Sequence, residues 1–297
     1  MTKSHYIPLP HRAFIALEGE ERKSFLQGLV SNDVTKGGPE RALYSAFLTP
    51  QGKFLHEFFL GEQDDLLLLE TEAQRRDDFI KRLSMYKLRS KVTVRAADHL
   101  KAYAIVGPDS AQILGLANDA GLARPFAGGL VFVDPRLSEM GLRAWLPADA
   151  DVALRESGLS AGETDQWDRQ RIGLGLPDGS RDMVPDKALL LENGFDELHG
   201  VDWQKGCYLG QELTARTKYR GLIKKRLMPV DIEGPCPEPG SVILFGETEA
   251  GEMRSHSEGV GLALIRVEIL EQLAGSSEVL KSGGARLTPR KPSWMVI

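Results

Sequence analysis

Apolar residues recur with two different periods along this 297-residue chain. Over residues 18–30 the period is helical. Phe25, Leu26, Leu29 and Val30 share a face, and Glu20, Glu21, Arg22 and Lys23 lie on the wet side. Ser31-Asn32-Asp33 stops this predicted helix, because short polar side chains compete for backbone hydrogen bonds. Residues 41–48 alternate and are rich in strand formers. Thr49-Pro50-Gln51-Gly52 reads as a turn, and 53–60 as the returning strand. Residues 66–69 predict a third strand. Phe79, Ile80, Leu83 and Met85 give 72–86 the spacing of a helix.

A second set of elements follows in similar order. Strands are predicted over 100–106, 130–133 and 142–146, with a helix over 108–120. The two sets read as a pseudo-repeat. A further helix is predicted over 165–174 and a loop over 177–185. Beyond Arg226 the texture changes to short strand candidates at 227–232, 241–245, 253–255 and 261–267. Pro, Gly and acidic turns separate them, the pattern of a small antiparallel barrel or sandwich. The domain boundary falls near 223–228. The organisation expected is an N-terminal α+β unit (1–98), a second α+β unit (99–160), a return segment (161–225) and a C-terminal barrel (226–297).

Composition narrows the class. The chain is 42% hydrophobic and 27% charged, ordinary for a globular protein with a large core. A net charge of −5 gives no electrostatic case for nucleic acid. Its first ten residues have no apolar h-region, and no apolar run approaches a membrane span, so neither a secretory leader nor a membrane partner is expected. Two cysteines build no disulfide framework, which points to a reducing, cytosolic setting.

One of those cysteines sits in the most chemically loaded segment, Lys205-Gly206-Cys207-Tyr208-Leu209-Gly210-Gln211-Glu212. An ammonium near a thiol favours the thiolate. Leu213-Thr214-Ala215-Arg216 continues as a helix, so Gly206 and Cys207 fall near a helix start, where backbone N–H groups favour an anion. Lys205, Arg216, Lys218, Arg220, Lys224, Lys225 and Arg226 form a basic cluster suited to a polyanionic ligand tail. Two plainer readings stand beside these: a buried structural cysteine in a tight turn, and a solvated charged face. His199, eight positions before Cys207, is the nearest histidine that would serve as its base.

The 205–212 segment, continued by Ala215-Arg216 and Arg220-Gly221, resembles the signature of the YgfZ-type folate-binding proteins. These include mitochondrial factors that help mature [4Fe–4S] proteins. The resemblance extends to Phe25-Leu26-Gln27-Gly28, Ser31-Asn32-Asp33-Val34, Thr49-Pro50-Gln51-Gly52-Lys53, Arg171-Ile172-Gly173-Leu174-Gly175, and Gly259-Val260-Gly261-Leu262-Ala263 with Arg266. It therefore covers nearly the whole chain. It implies an α+β fold of two ferredoxin-like units and a C-terminal antiparallel β-barrel, arranged around a central folate channel. The family is related to the aminomethyltransferase (T-protein) of the glycine cleavage system. That enzyme carries paired aspartates where this chain has His56-Glu57, and a pterin-holding glutamate where it has Gly173. It also lacks the cysteine at position 207.

These comparisons imply Cys207, Lys205 and Asp33 as the chemically active residues. Asn32, Asp33, Tyr44, Gly206, Tyr208, Gly210, Gln211, Glu212, Arg216 and Arg220 are the implied ligand contacts. The cofactor implied is tetrahydrofolate or another reduced folate, and no metal site is expected. The leading expectation is a monomeric, non-catalytic or weakly catalytic accessory factor for iron–sulfur proteins, acting through Cys207 on client or assembly proteins. The alternative is a tetrahydrofolate-dependent aminomethyl or one-carbon transferase, in which Asp33 or Glu57 orients the folate. A third possibility is a folate-binding scaffold in which Cys207 only packs.

Overall fold

The computed structural model describes residues 3–221, 223–273, 275–276 and 278–296. Met1 and Thr2 of the N-terminal reading lie outside them. One compact unit gathers Met1–Pro50, Leu55–Trp167 and Leu198–Gln211. A second gathers Gln51–Phe54, Asp168–Glu197 and Glu212–Ile297.

The first unit contains β1 (His5–Pro8), β2 (Arg12–Glu18), α1 (Arg22–Gln27), β3 (Leu43–Leu48), β4 (Phe54–Gln63), β5 (Leu66–Glu72), α2 (Arg76–Lys87) and β6 (Thr93–Ala96). It continues through β7 (Leu100–Val106), α3 (Ser110–Ile113), β8 (Ala123–Phe126), β9 (Gly129–Val133), β10 (Leu142–Pro147), α4 (Asp151–Glu156) and β11 (Ser160–Ala161). Two sheets result. One is five-stranded, ordered β3-β4-β5-β2-β6, and the other six-stranded, ordered β11-β1-β7-β10-β9-β8. The pseudo-repeat read from the sequence corresponds to these two sheets.

Alternation along β4 and β5 decides what each face of the five-stranded sheet buries. Phe58, Leu60, Leu67 and Leu69 pack with Leu26, Phe79 and Leu83 in an apolar core under the helices. The opposite face carries Glu57, Phe59 and Glu70, all buried. The six-stranded sheet answers with Phe132 and Trp145, whose ring centroids lie 4.8 Å apart, and with Arg143, whose guanidinium sits 3.8 Å from the Phe59 centroid.

Charges in this layer are matched. Arg12 donates to Glu57 at 2.5 Å and to Glu70 at 2.9 Å, and Arg143 and the Trp145 indole also donate to Glu70, both at 2.5 Å. Asp134 accepts from Arg136 at 2.8 Å and from Arg143 at 3.4 Å. Three arginines thus face three carboxylates. Desolvating six charges is expensive, and the arrangement holds only because each has a partner.

The second unit contains α5 (Thr164–Gly173) from Asp168 onward, α6 (Gln211–Tyr219) from Glu212 onward, β12 (Lys225–Glu233), β13 (Val242–Phe245), β14 (Thr248–Ser257), β15 (Val260–Arg266), α7 (Val267–Leu273), β16 (Leu280–Ser282) and β17 (Ala285–Pro289). The six strands close into an antiparallel barrel, ordered β12-β15-β14-β13-β16-β17 and sealed by the β12–β17 pair. Met228, Val230, Ile243, Met253, Ile265, Leu280 and Leu287 fill it. The barrel expected beyond Arg226 is therefore present, with two more strands than the sequence reading named. In the same unit, fully buried Arg171 donates to Asp168 at 2.6 Å, Asp182 at 2.7 Å and Ser255 at 2.8 Å.

Two predicted helices are shorter than their apolar spacing implied. Residues 18–30 hold a helix only over Arg22–Gln27. Glu18 belongs to β2, and Gly19 turns with φ 115°, where a Cβ would meet the Lys91 carbonyl oxygen at 2.3 Å. Val30 leaves the helix to bridge Phe47. The helix over 108–120 shrinks to Ser110–Ile113, and Gly115 with φ 66° follows it.

Glu70→Gln should lower the folding free energy by roughly 3–5 kcal/mol in urea denaturation, because it strands buried guanidinium charge. Glu18→Gln, which breaks the exposed Glu18–Arg95 pair, should cost less than about 1 kcal/mol. Equal costs would show that the buried network does not hold the sheets.

Candidate functional site

The Cys207 segment is fastened to the exit of α1. Lys205 reaches back and donates its ammonium protons to the carbonyl oxygens of Gln27 (2.7 Å), Asn32 (2.8 Å) and Val30. A lysine at a helix C-terminus satisfies carbonyls that have no intrahelical donor. The Leu209 amide bonds the Gly28 carbonyl at 3.1 Å, and the Asp202 amide bonds that of Ser31 at 3.0 Å. Gly206 and Gly210 take φ of 90° and 79°, conformations that side chains rarely adopt, so the chain can reverse around the thiol. Cys207 itself is exposed. The reading of it as a buried structural cysteine is therefore wrong. The same lysine that anchors the loop is too buried for water to stabilise its charge fully. Burial pulls its pKa down to about 8 against the raising effect of Asp33 and Asp202.

Asn32 sits between the two strands of this attachment. Its side-chain amide donates to the carbonyls of Tyr44 and His199, both at 2.7 Å, and its Oδ1 accepts the Asp33 amide at 2.8 Å. Asp33 caps the 3-10 turn over Val34–Lys36: its Oδ1 accepts from Thr35 N at 3.0 Å, Thr35 Oγ1 at 2.6 Å and Gln27 Nε2 at 3.0 Å. Burial pushes this carboxyl up, but the bonds from Thr35 and Gln27 and the Lys36 charge outweigh it, leaving the pKa below its ordinary value. Asp33 is therefore an acceptor at neutral pH, not an acid.

Tyr44 is fully buried, with Phe59 5.1 Å from its ring and the Arg136 guanidinium 5.2 Å from it. Tyr208 is buried too, and the Lys205 ammonium lies 5.1 Å from its ring. Gln211 opens α6 and accepts the Tyr208 amide at 3.1 Å. Glu212 and Arg216 are exposed and pair loosely at 3.7 Å, and Arg220 is exposed beyond them.

The basic cluster read from the sequence is not one surface. Arg226 is buried, bonded to the Leu191 carbonyl at 2.9 Å and to Glu197 at 2.5 Å. Lys218 pairs with Asp196, and Lys205 is spent on backbone carbonyls. Cys207 also precedes the helix start by four positions, because α6 begins only at Gln211.

A cavity of about 420 Å³ opens beside the α1 exit, lined by Asn32, Lys36, Arg41, Leu43, Tyr44, Asp119, Pro135, His199, Val201 and Asp202, among others. Two ion pairs cross its lining: Lys36 with Asp202, and Arg41 with Asp119 at 3.3 Å. The sequence reading found Asn32 and Tyr44 here but missed Lys36, Arg41, Asp119 and Asp202. Lys36 and Asp202 are 166 positions apart, and no local pattern links them.

Glu57 and His56, which the resemblance sets opposite paired aspartates of the T-protein, are both engaged in packing and pairing. Glu57 is bonded to Arg12 in the buried ionic layer. His56 stacks on Phe79 with 4.6 Å between centroids and bonds Asp78 at 2.9 Å. Gly173 is not imposed by packing, since a Cβ there would meet nothing within 4 Å.

Comparison with known proteins gives the family. Residues 224–297 match the model of the CAF17 C-terminal β-barrel domain. The chain is 36% identical over 285 residues to a Mus musculus protein named iron-sulfur cluster assembly factor IBA57, mitochondrial, covering 89% of this chain and 78% of that one. It belongs to the IBA57/CAF17 family. Its Homo sapiens relative of the same name is 34% identical over 308 residues, covering 96% of this chain and 84% of that protein. The fold of this family member matches the glycine cleavage system aminomethyltransferase T of Bartonella henselae, with a TM-score of 0.79 over 99% of this chain and 87% of that one. Sequence identity there is 17%, so the likeness is one of fold.

His56 gives this region a defined pH response. Burial, helped by the Arg75 charge, pulls its pKa from 6.5 to about 4, against the hydrogen bond that the ring donates to Asp78. Unfolded chains therefore bind more protons than folded ones across that interval, and stability falls as pH falls through it. The stability difference between wild type and His56→Gln should be flat above pH 6.5 and should shift against wild type between 6.5 and about 4. A pH-independent difference in denaturation curves would place His56 in water instead.

Proposed function

We propose that this protein is an iron–sulfur protein assembly factor that binds a reduced folate, with tetrahydrofolate as the expected form. It presents Cys207 to a client or assembly protein. One observation carries the reading: residues 27–36 at the α1 exit support both the exposed Cys207 loop and the cavity. The relatives' names support the assembly role, and the resemblance of the Lys205–Glu212 motif to YgfZ-type proteins supports the folate.

The cavity's donor set fits such a ligand. Its volume lies within the roughly 300–1,000 Å³ of small-molecule sites. Lys36 and Arg41 would take the carboxylates of a glutamate tail, and Leu43, Pro135 and Val201 supply apolar wall. A bound reduced folate supplies a carrier for one-carbon units. Lys205 holds the thiol's loop in place, and Asn32 ties that loop to β3. Cys207 offers one ligand or one nucleophile, so a cluster held here takes its other ligands from a partner.

The aminomethyltransferase reading is not favoured. Glu57 is held by Arg12, and buried His56 is neutral at pH 7 with no acidic group to offer.

Calorimetry should show tetrahydrofolate binding to the intact chain. Arg41→Ala should weaken it about tenfold, the loss of one charge-assisted contact, and Cys207→Ser should leave it unchanged. No folate-linked product should form from an aminomethylated donor. Absence of binding by the wild type would remove folate from the account, and steady product formation would restore the transferase.

A further inference from the structure

The geometry points to Lys36 as a shared cation that couples the cavity to the Cys207 loop. Its ammonium lies in the cavity lining and pairs there with Oδ2 of Asp202. Asp202 also holds the loop itself. Its Oδ1 accepts the Gln204 amide at 2.8 Å, and its own amide bonds the Ser31 carbonyl at 3.0 Å. Three positions after Asp202, Lys205 makes the second fastening, to the carbonyls of Gln27, Val30 and Asn32.

A ligand carboxylate entering the cavity meets two cations that already carry aspartates. Arg41 is tied by Asp119 to the segment beside β8. Lys36 is different, because its partner is the first anchor of the Cys207 loop. A carboxylate that bonds Lys36 competes with Asp202 for the same three donors. The Asp202 side chain is then drawn less strongly to the cavity wall, the Gln204 amide loses a fixed acceptor, and the stretch up to Cys207 loosens. Exchange between the two carboxylates is easy, because Lys36 is 56% exposed and an exposed ion pair is weak. The cavity thus reports an anionic ligand to the thiol through a single ion pair. The ligand's identity as a folate rests on the proposed function, while the Lys36–Asp202–loop linkage does not.

Two measurements on the intact protein test the coupling: the rate of Cys207 alkylation by iodoacetamide and hydrogen exchange across 202–207. The Cys236→Ser background removes the other thiol. Without ligand, Lys36→Met and Asp202→Asn should each raise the alkylation rate about threefold and speed exchange at Gln204. Saturating tetrahydrofolate should raise the wild-type rate by a similar factor and leave Lys36→Met unchanged. 6-Methyltetrahydropterin, which has no carboxylate, should bind without this effect.

The inference is overturned if both variants alkylate at the wild-type rate, whatever folate does. It is also overturned if calorimetry shows tetrahydrofolate bound while the Cys207 rate stays constant, an outcome that leaves the folate cavity standing. Failure of folate to bind removes the folate reading and the ligand arm together, and the ligand-free variants still decide the linkage.

Discussion

Three carbonyl oxygens at the exit of α1 converge on one ammonium, and the loop bearing Cys207 hangs from that contact. Each of these carbonyls lies beyond the reach of a helical N–H donor. Lysine supplies three donors from one atom, so a single side chain serves all three. The cost is partial burial of a charge, visible in a pKa pulled down to about 8. The result is an exposed thiol on a fixed base. A flexible loop would expose a cysteine equally well, but it would not be fastened to Asn32, a residue that also lines the cavity.

Carboxylates on β4 and β5 are held in the same way. The carboxylate that β4 keeps, Glu57, faces Arg12 within a layer of three arginines and three acids between the sheets. There it contributes to holding the sheets together. The neighbouring position is a histidine, buried against Phe79 and pulled to the neutral form.

Much of the architecture was legible in the alternation of β3, β4, β7 and β10 and in the Pro- and Gly-punctuated strands of the barrel. Those elements have strong periodicity and clear turn residues. β1 and β6 escaped because four residues are too few for a period, and β11 because it has two. The helix over 18–30 was overread because Leu29 and Val30 kept helical spacing after the chain had turned at Gly28 to bridge β3. In the candidate site, Cys207, Lys205 and Asn32 were singled out by one motif and one resemblance. The role of Lys205 was not, because adjacency in sequence suggested an ammonium beside a thiol, and the side chain instead points to α1. Lys36 and Asp202 were invisible for a simpler reason: only the tertiary fold brings them together.

The claim that the anchored, exposed thiol is the working group is tested most directly in a strain lacking this protein. The activity of a [4Fe–4S] enzyme is measured after return of the wild type or of Cys207→Ser at matched expression. The wild type should restore activity, and Cys207→Ser, folded and still able to bind tetrahydrofolate, should leave it near the level of the deletion. Full restoration by Cys207→Ser would contradict the account.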